Sequence, residues 1–277
     1  MQFIENLVER SKITIKENEE DYIDQETGLL MCGICKTPKQ CRVEVGEKIY
    51  YPYCLCKCGT EQRDREEEEE KKRAFEERVQ KYREMGFSES QMQSWTFAND
   101  DNANGKLTEM AKRYVDNFSK FYKEGKGLLL HGGVGTGKTY IACMIANALI
   151  DKGYPVLVTN FSRILNTLQG TFNKQEYIDS LNQFKLLIID DLGIERDTGY
   201  AKEQVFSIID SRYRAELPMI ITTNLPMQKI ATEQDISYKR VYDRIIERCY
   251  PVEVAGESRR IKKLINSSED MKSILGI

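Results

Sequence analysis

Continuous apolar runs punctuate the chain beyond residue 126: GLLLHG (127–132), PVLVTN (155–160), FKLLIIDD (184–191) and LPMIITTN (217–224). None alternates with polar residues, which is the pattern of strands covered on both faces of a parallel sheet. Between them, residues 138–152, 161–168 and 201–214 carry apolar side chains at helical spacing. Strand and helix in alternation predict an α/β domain with a largely parallel sheet. Residues 61–85 read differently, with 10 acidic and 8 basic side chains in 25 positions. Glu66 to Glu70 stand ahead of Lys71, Lys72 and Arg73 at (i, i+4) spacing, the orientation that supports an exposed helix. At 1.5 Å per residue that helix spans roughly 35 Å and ends at Gly86. Before it, the stretch VEVGEKIYYPY lies between two groups of cysteines and predicts a small hairpin. The expected organisation is a cysteine module over 1–60, a charged helical linker over 61–94, and an α/β domain over 95–277.

Composition narrows the function classes. The 277 residues carry 41 basic and 44 acidic side chains, a net charge of −3, so any nucleic-acid contact must come from a local patch. The longest apolar stretch, Ile141 to Ile150, is half of what a bilayer crossing needs, and no membrane partner is expected. The opening MQFIENLVERSK has neither the apolar core nor the small-residue cleavage site of a secretory signal. Six of the eight cysteines fall between Cys32 and Cys58. Without an export signal, such a cluster reads as metal ligands in a reducing cytoplasm. Zn²⁺ takes four ligands in a tetrahedron, and two close pairs supply them. Cys32 and Cys35 form the first pair. Cys54 and Cys56 are the expected second, with Cys58 a substitute and Cys41 a more distant one. The one histidine, His131, abuts the glycine-rich loop, so an all-cysteine site is expected. A module of about 60 residues has little core and needs such a metal staple.

The strongest chemical signal is Gly132-Gly133-Val134-Gly135-Thr136-Gly137-Lys138-Thr139, which satisfies GxxxxGK[ST] between a predicted strand and a predicted helix. Glycines let backbone N–H groups turn inward around phosphates, and the helix N-terminus adds a favourable dipole. The residues expected to hold ATP or ADP are Gly133, Val134, Gly135, Thr136, Gly137, Lys138, Thr139 and Tyr140. Lys138 neutralises the β- and γ-phosphates, and the Thr139 hydroxyl takes a Mg²⁺ position. The run Leu186 to Ile189 ends in Asp190 and Asp191, at the sheet edge where open α/β folds place ligands. Asp190 is expected to hold Mg²⁺ and Asp191 to orient or deprotonate the attacking water, although adjacent carboxylates are able to share or exchange these roles. Asn224 ends the next strand and reads as a γ-phosphate contact or as a turn residue.

Taken in order, GLLLHGGVGTGKTYIACMIANAL, FKLLIIDDLG, IITTN, VYDRIIERC and GESRR resemble the DnaC/IstB group of AAA+ ATPases, over about residues 95–262. The resemblance implies a P-loop AAA+ core with ATP held between neighbouring subunits, Mg-dependent hydrolysis to ADP and phosphate, and a homo-oligomer on ATP binding. It makes Asn224 the first sensor, Arg244 an arginine finger and Arg260 the second sensor. An arginine suits both roles, because its permanent planar charge stabilises phosphate in the transition state. It implies a loader of a DnaB-type replicative helicase onto single-stranded DNA, with the zinc module contacting the helicase. The alternative is an IstB-like ATPase that regulates DNA transposition. The chain ends 17 residues past Arg260, too few for a full helical lid, which suits a compact switch rather than a processive motor. For single-stranded DNA, Asn160 to Lys185 provides Phe161, Arg163, Phe172, Lys174, Tyr177 and Lys185, basic and aromatic residues interleaved. Phe161, Ile164, Leu165 and Leu168 also fall at core spacing.

Overall fold

The computed structural model describes residues 18–101, 104–193, 198–261 and 275. The chain divides into two compact units, residues 1–76 and 77–277.

The first unit is built from small pieces. Strands β1 (Tyr22–Ile23) and β2 (Leu30–Met31) pair antiparallel, as do β3 (Val43–Val45) and β4 (Lys48–Tyr50). The second pair is the hairpin expected from VEVGEKIYYPY. Its base continues through an isolated bridge between Gln40 and Tyr53. Lys39, only 4% exposed, forms an ion pair with Asp21. Asp21 also accepts a hydrogen bond from Gly33 N at 3.1 Å, which fixes the turn between Cys32 and Cys35. Helix α1 (Lys57–Gly86) starts inside the cysteine cluster, four residues before its predicted start, and it runs exposed for most of its length.

The second unit takes in the end of α1. Val79, Tyr82, Phe87 and Met92 pack into its core, so residues 77–94, expected in the linker, belong with the α/β domain. Their attachment is specific. Arg83 donates to Asn147 Oδ1 at 2.8 Å, while the buried Asn147 amide donates to Met92 O and Trp95 O, each at 3.0 Å. At Gly86 a Cβ would stand 2.6 Å from Val156 O, so only glycine permits this approach.

Helices α2 (Gly105–Asp116) and α3 (Phe118–Glu124) precede β5 (Gly127–His131). There follow α4 (Lys138–Asp151), β6 (Val156–Asn160), α5 (Phe161–Gly170), α6 (Lys174–Ser180) and β7 (Leu186–Leu192). The domain continues with α7 (Gly199–Arg214), β8 (Met219–Thr223), α8 (Met227–Ala231), α9 (Ile236–Arg248) and β9 (Cys249–Glu253). All five core strands pair in parallel, in the order β6-β7-β8-β5-β9. Successive residues of one strand feed opposite layers. Leu128, Leu130, Leu186 and Ile188 face the layer of α2, α3 and α4, whereas Leu129, Leu187 and Ile189 face that of α5, α7 and α9. This is why the apolar runs are continuous: both faces of the sheet are dry.

Residues 239–263 hold 8 basic and 4 acidic side chains, a composition that suits a solvated basic helix, and β9 departs from it. The first part is helical, but Cys249-Tyr-Pro-Val-Glu253 then pairs with β5 at the sheet edge. A five-residue edge strand containing proline gives little periodic signal.

Candidate nucleotide site and metal centre

The glycine-rich loop leaves β5 at His131 and enters α4 at Lys138, with Gly135 at φ 82° and Gly137 at φ 102°. Gly135 needs this conformation and also lacks room for a side chain, because its Cβ would stand 2.2 Å from Ser258 Oγ. Lys138 is 5% exposed, and its ammonium donates to Gly133 O at 2.7 Å, Gly132 O at 3.1 Å and Asn224 Oδ1 at 2.6 Å. Burial pulls the Lys138 pKa down and the nearby Asp191 and Asp190 charges oppose that; the Arg260 charge adds to the lowering. The predicted lysine, first sensor and second-sensor arginine therefore share one electrostatic neighbourhood.

Two hydroxyls hold Asp190. Thr139 donates to its Oδ1 at 2.8 Å and Thr222 donates to the same atom at 2.6 Å. Burial pushes this carboxyl above its ordinary range, against the two hydrogen bonds. A divalent cation nearby would reverse that shift. A hydroxyl beside a carboxylate is a hard-oxygen pair of the kind Mg²⁺ takes, so Thr139 and Asp190 fit that ion.

Asp191 stands out in the backbone. It adopts φ 57°, and the β7–β8 register shifts between Ile189 and Leu192. Its amide donates to Thr222 Oγ1 at 2.9 Å. The bulge turns the second carboxylate away from the strand's alternation, a strained placement typical of functional sites. Thr222 thus ties both acids together. Sequence reading passed over it, although a threonine pair closing a buried apolar strand is a signal of polar work at the sheet edge.

Ser258-Arg259-Arg260 docks on the loop through a residue that sequence reading did not single out. Arg259 N donates to Gly135 O at 2.9 Å and its guanidinium donates to Asp101 at 2.8 Å. The same guanidinium lies 5.2 Å from the Tyr140 ring, and Tyr140 donates to Asn99 O at 2.9 Å. Residues 99–101, Tyr140 and Arg259 therefore form a strap beside the phosphate loop. Arg244 lies elsewhere, on α9. It donates to Asp210 Oδ1 at 2.7 Å and stacks over Phe206 at 4.7 Å.

Most of the basic and aromatic residues expected to meet DNA are engaged within the fold. Phe161 is 2% exposed and, with Ile164, Leu165 and Leu168, is core; it is withdrawn as a base-stacking candidate. Arg163 donates to Ser88 O at 3.1 Å, and Lys174 lies over the Tyr200 ring at 4.8 Å. Lys185 stands 5.3 Å from both the Tyr122 and Tyr154 rings, and Tyr177 packs against the core. Phe172 is fully exposed.

In the first unit, the sulfurs of Cys32, Cys35, Cys56 and Cys58 lie within 4.8 Å of one another. Cys58, not Cys54, completes the set, which corrects the expected second pair. The reason lies in the helix start. Cys56 precedes α1 and Cys58 sits in its first turn, so both turn toward the Cys32–Cys35 knuckle. Cys54 N instead donates to Lys39 O at 2.8 Å, and its thiol faces Pro38 O and Cys41. Hydrogen bonds to the sulfurs of Cys56, Cys35 and Cys32 push Cys58 up to about 12, while hydrogen bonds from Thr37 and backbone bring Cys35 down to about 5. Four sulfurs this close suit a soft divalent cation that displaces their protons, as Zn²⁺ does.

Comparison with known proteins places these features in a family. The model of the IstB-like ATP binding protein family matches residues 64–267. The replicative helicase loader DnaI of Bacillus subtilis (strain 168) is 27% identical over 164 residues, which is 53% of this chain and 53% of that protein. The replicative helicase loader DnaC of Escherichia coli (strain K12) is 27% identical over 149 residues, which is 52% of this chain and 57% of that protein. The chain spans about half the length of the curated relatives it matches. A crystal structure of DnaI superposes with a TM-score of 0.53 at 28% identity, covering 64% of this chain and 98% of that one. The family match extends from the charged helix through the arginine pair that docks on the phosphate loop, and the chain belongs to the IstB-like ATP-binding family.

Proposed function

We propose that this protein is an ATP-dependent loader of a replicative DNA helicase, a switch ATPase that acts as a homo-oligomer on single-stranded DNA. The observation that carries the reading is the Lys138–Asn224 hydrogen bond set beside the Thr139–Asp190–Thr222 hydrogen-bonded group, within electrostatic reach of each other, in a member of an ATP-binding family whose similar proteins include helicase loaders. In this reading Lys138 and the loop amides bind the triphosphate. Thr139 and Asp190 would hold Mg²⁺, which would supply neutralisation of phosphate charge. Asp191 orients the attacking water and accepts its proton, and Asn224 fixes the water or the γ-phosphate. Arg260 senses the bound phosphates within the chain, while Arg244 reaches the site of a neighbouring copy. The cysteine module binds Zn²⁺ through Cys32, Cys35, Cys56 and Cys58 and presents a surface to the helicase. An intact set of Lys138, Thr139, Asp190 and Asp191 speaks against a non-catalytic adaptor.

The test is capture of a DnaB-type helicase and of single-stranded DNA by the full chain, with and without ATP and Mg²⁺. Capture of the helicase that depends on ATP, with Lys138→Ala weakening nucleotide binding at least ~100-fold, about 2.7 kcal/mol, supports the proposal. Capture of a transposase and duplex DNA instead would favour the transposition ATPase. Undiminished ATP turnover in Lys138→Ala would overturn the catalytic reading.

A further inference from the structure

Of the six cysteines in the first unit, four converge on the candidate metal centre and Cys41 and Cys54 are left beside each other. The backbone explains why. Gln40 and Tyr53 form an antiparallel bridge, flanked by Cys41 N donating to Pro52 O at 3.0 Å and Cys54 N donating to Lys39 O at 2.8 Å. This pattern makes Gln40 and Tyr53 a non-hydrogen-bonded pair and puts residues 41 and 54 on the opposite face, as diagonal neighbours. The Cys41 thiol points at Pro52 O and the Cys54 thiol at Pro38 O, each at 3.7 Å. Diagonal Cα atoms are about 7–8 Å apart, just past what a disulfide spans without backbone movement. Because the pairing here is a single bridge rather than a continuous ladder, a small approach and a turn of each thiol join them.

Access is equally specific. Cys41 is exposed, and a cavity of about 590 Å³ is lined by Pro38, Cys41, Cys54, Leu55, Lys57 and Glu61. Cys143 and Cys249, in the other unit, are sealed at 0% and 1% exposure. A metal would hold the remaining four thiolates, which leaves one reactive pair of thiols in the folded chain.

We infer that Cys41 and Cys54 form a dithiol–disulfide site that reacts with small-molecule disulfides of the glutathione type. The sulfur of Cys41 attacks one sulfur of the reagent, an S–S bond forms as the reagent's own S–S bond breaks, and one small thiol leaves with the proton of Cys41. Cys54 then attacks the Cys41 sulfur, and the second small thiol leaves with the proton of Cys54. Two protein thiols are oxidised by two electrons in all, and one small disulfide is reduced to two thiols. The product closes the β3–β4 hairpin at its base and leaves the four metal ligands as they were. The inference rests on the four-cysteine metal reading, because that reading removes the competing thiols.

The experiment uses the full chain loaded with Zn²⁺ and exposed to glutathione disulfide. Intact mass, peptide mapping and zinc content are followed together. Zinc content before oxidation judges the metal reading by itself. The expected result is a product lighter by two hydrogens, a cross-link between the peptides holding Cys41 and Cys54, retained zinc, and full reversal by a small dithiol. Cys54→Ser should stop at a stable glutathione adduct on Cys41, and Cys41→Ser should give no cross-link, with zinc content certifying that both variants fold. A glutathione adduct that persists on Cys41 in the unmodified sequence would overturn the inference. So would a disulfide that enlists Cys32, Cys35, Cys56 or Cys58 with release of zinc, or no reaction in the zinc-loaded chain.

Discussion

Among the described residues of the first unit, the buried apolar side chains are Cys32 and Cys56, whereas the second unit fully encloses Leu129, Leu130, Ile145, Leu149, Val156, Ile188 and Ile221. One unit has sulfur where the other has hydrocarbon. Both still position polar groups with care: the enclosed side chains of Asp21 and Lys39 brace the cysteine knuckle, and buried Lys138 and half-buried Asp190 organise the phosphate loop. The difference teaches where each structure stores its stability. A hydrophobic sheet is rigid before any ligand arrives, while a module without such a core would rest on the metal proposed for it.

Removing the metal separates the two most sharply. Chelation, or Cys58→Ser, should unfold the hairpins of the first unit, a loss on the order of 10 kcal/mol of coupled binding and folding. The melting transition of the second unit should stay in place. Hydrogen exchange read separately over residues 20–56 and 127–223 reports both, and protection that persists in the first region would break the contrast.

The converse substitution is Leu129→Ala, which empties a fully buried position between the sheet and its α5, α7 and α9 layer. It should cost the second unit about 3–4 kcal/mol in thermal or denaturant unfolding and leave zinc content unchanged. A smaller effect is expected at the bulge. Asp191→Val forces a β-branched residue into φ 57° and should lose about 1–3 kcal/mol, whereas Asp191→Asn, tolerant of that conformation, should melt within about 0.5 kcal/mol of the parent. Both should lower ATP turnover, which divides the carboxylate's chemistry from its backbone geometry. At the bottom of the scale, Cys54→Ser should leave metal stoichiometry and unfolding unchanged. Loss of zinc in that variant would return Cys54 to the ligand set.

Legibility followed the range of the interactions. The strands β5 to β8 and the helices α4, α5 and α7 read directly, because a dry sheet writes itself as unbroken Leu, Ile and Val, whereas the two-turn α6 at Lys174–Ser180 is too short to show a period. The phosphate loop read as well, since its glycines, lysine and threonine act within eight consecutive residues. What the sequence hid is non-local. Thr222 reaches Asp190 from a neighbouring strand, and Arg259 meets Gly135 and Asp101 across more than a hundred residues. The ligand set turned on where α1 begins, since starting at Lys57 wraps Cys58 toward the cluster and leaves Cys54 on the hairpin. β9 was masked by brevity and proline. The charged helix looked uniform in composition, yet Val79, Tyr82 and Arg83 near its end are anchors for the second unit.

Phe87 makes a lone parallel bridge to Val158 on β6, the outermost strand on that side of the sheet. A fragment trimmed to begin at residue 95 would strip away that bridge together with Val79, Tyr82 and Met92, and leave the β6 edge without its one backbone partner beside newly bared apolar side chains. Unshielded borders of this kind zip onto one another and precipitate. Whoever wishes to handle the nucleotide-binding half alone should therefore keep the tail of the long helix attached, because it serves that half as a selvedge.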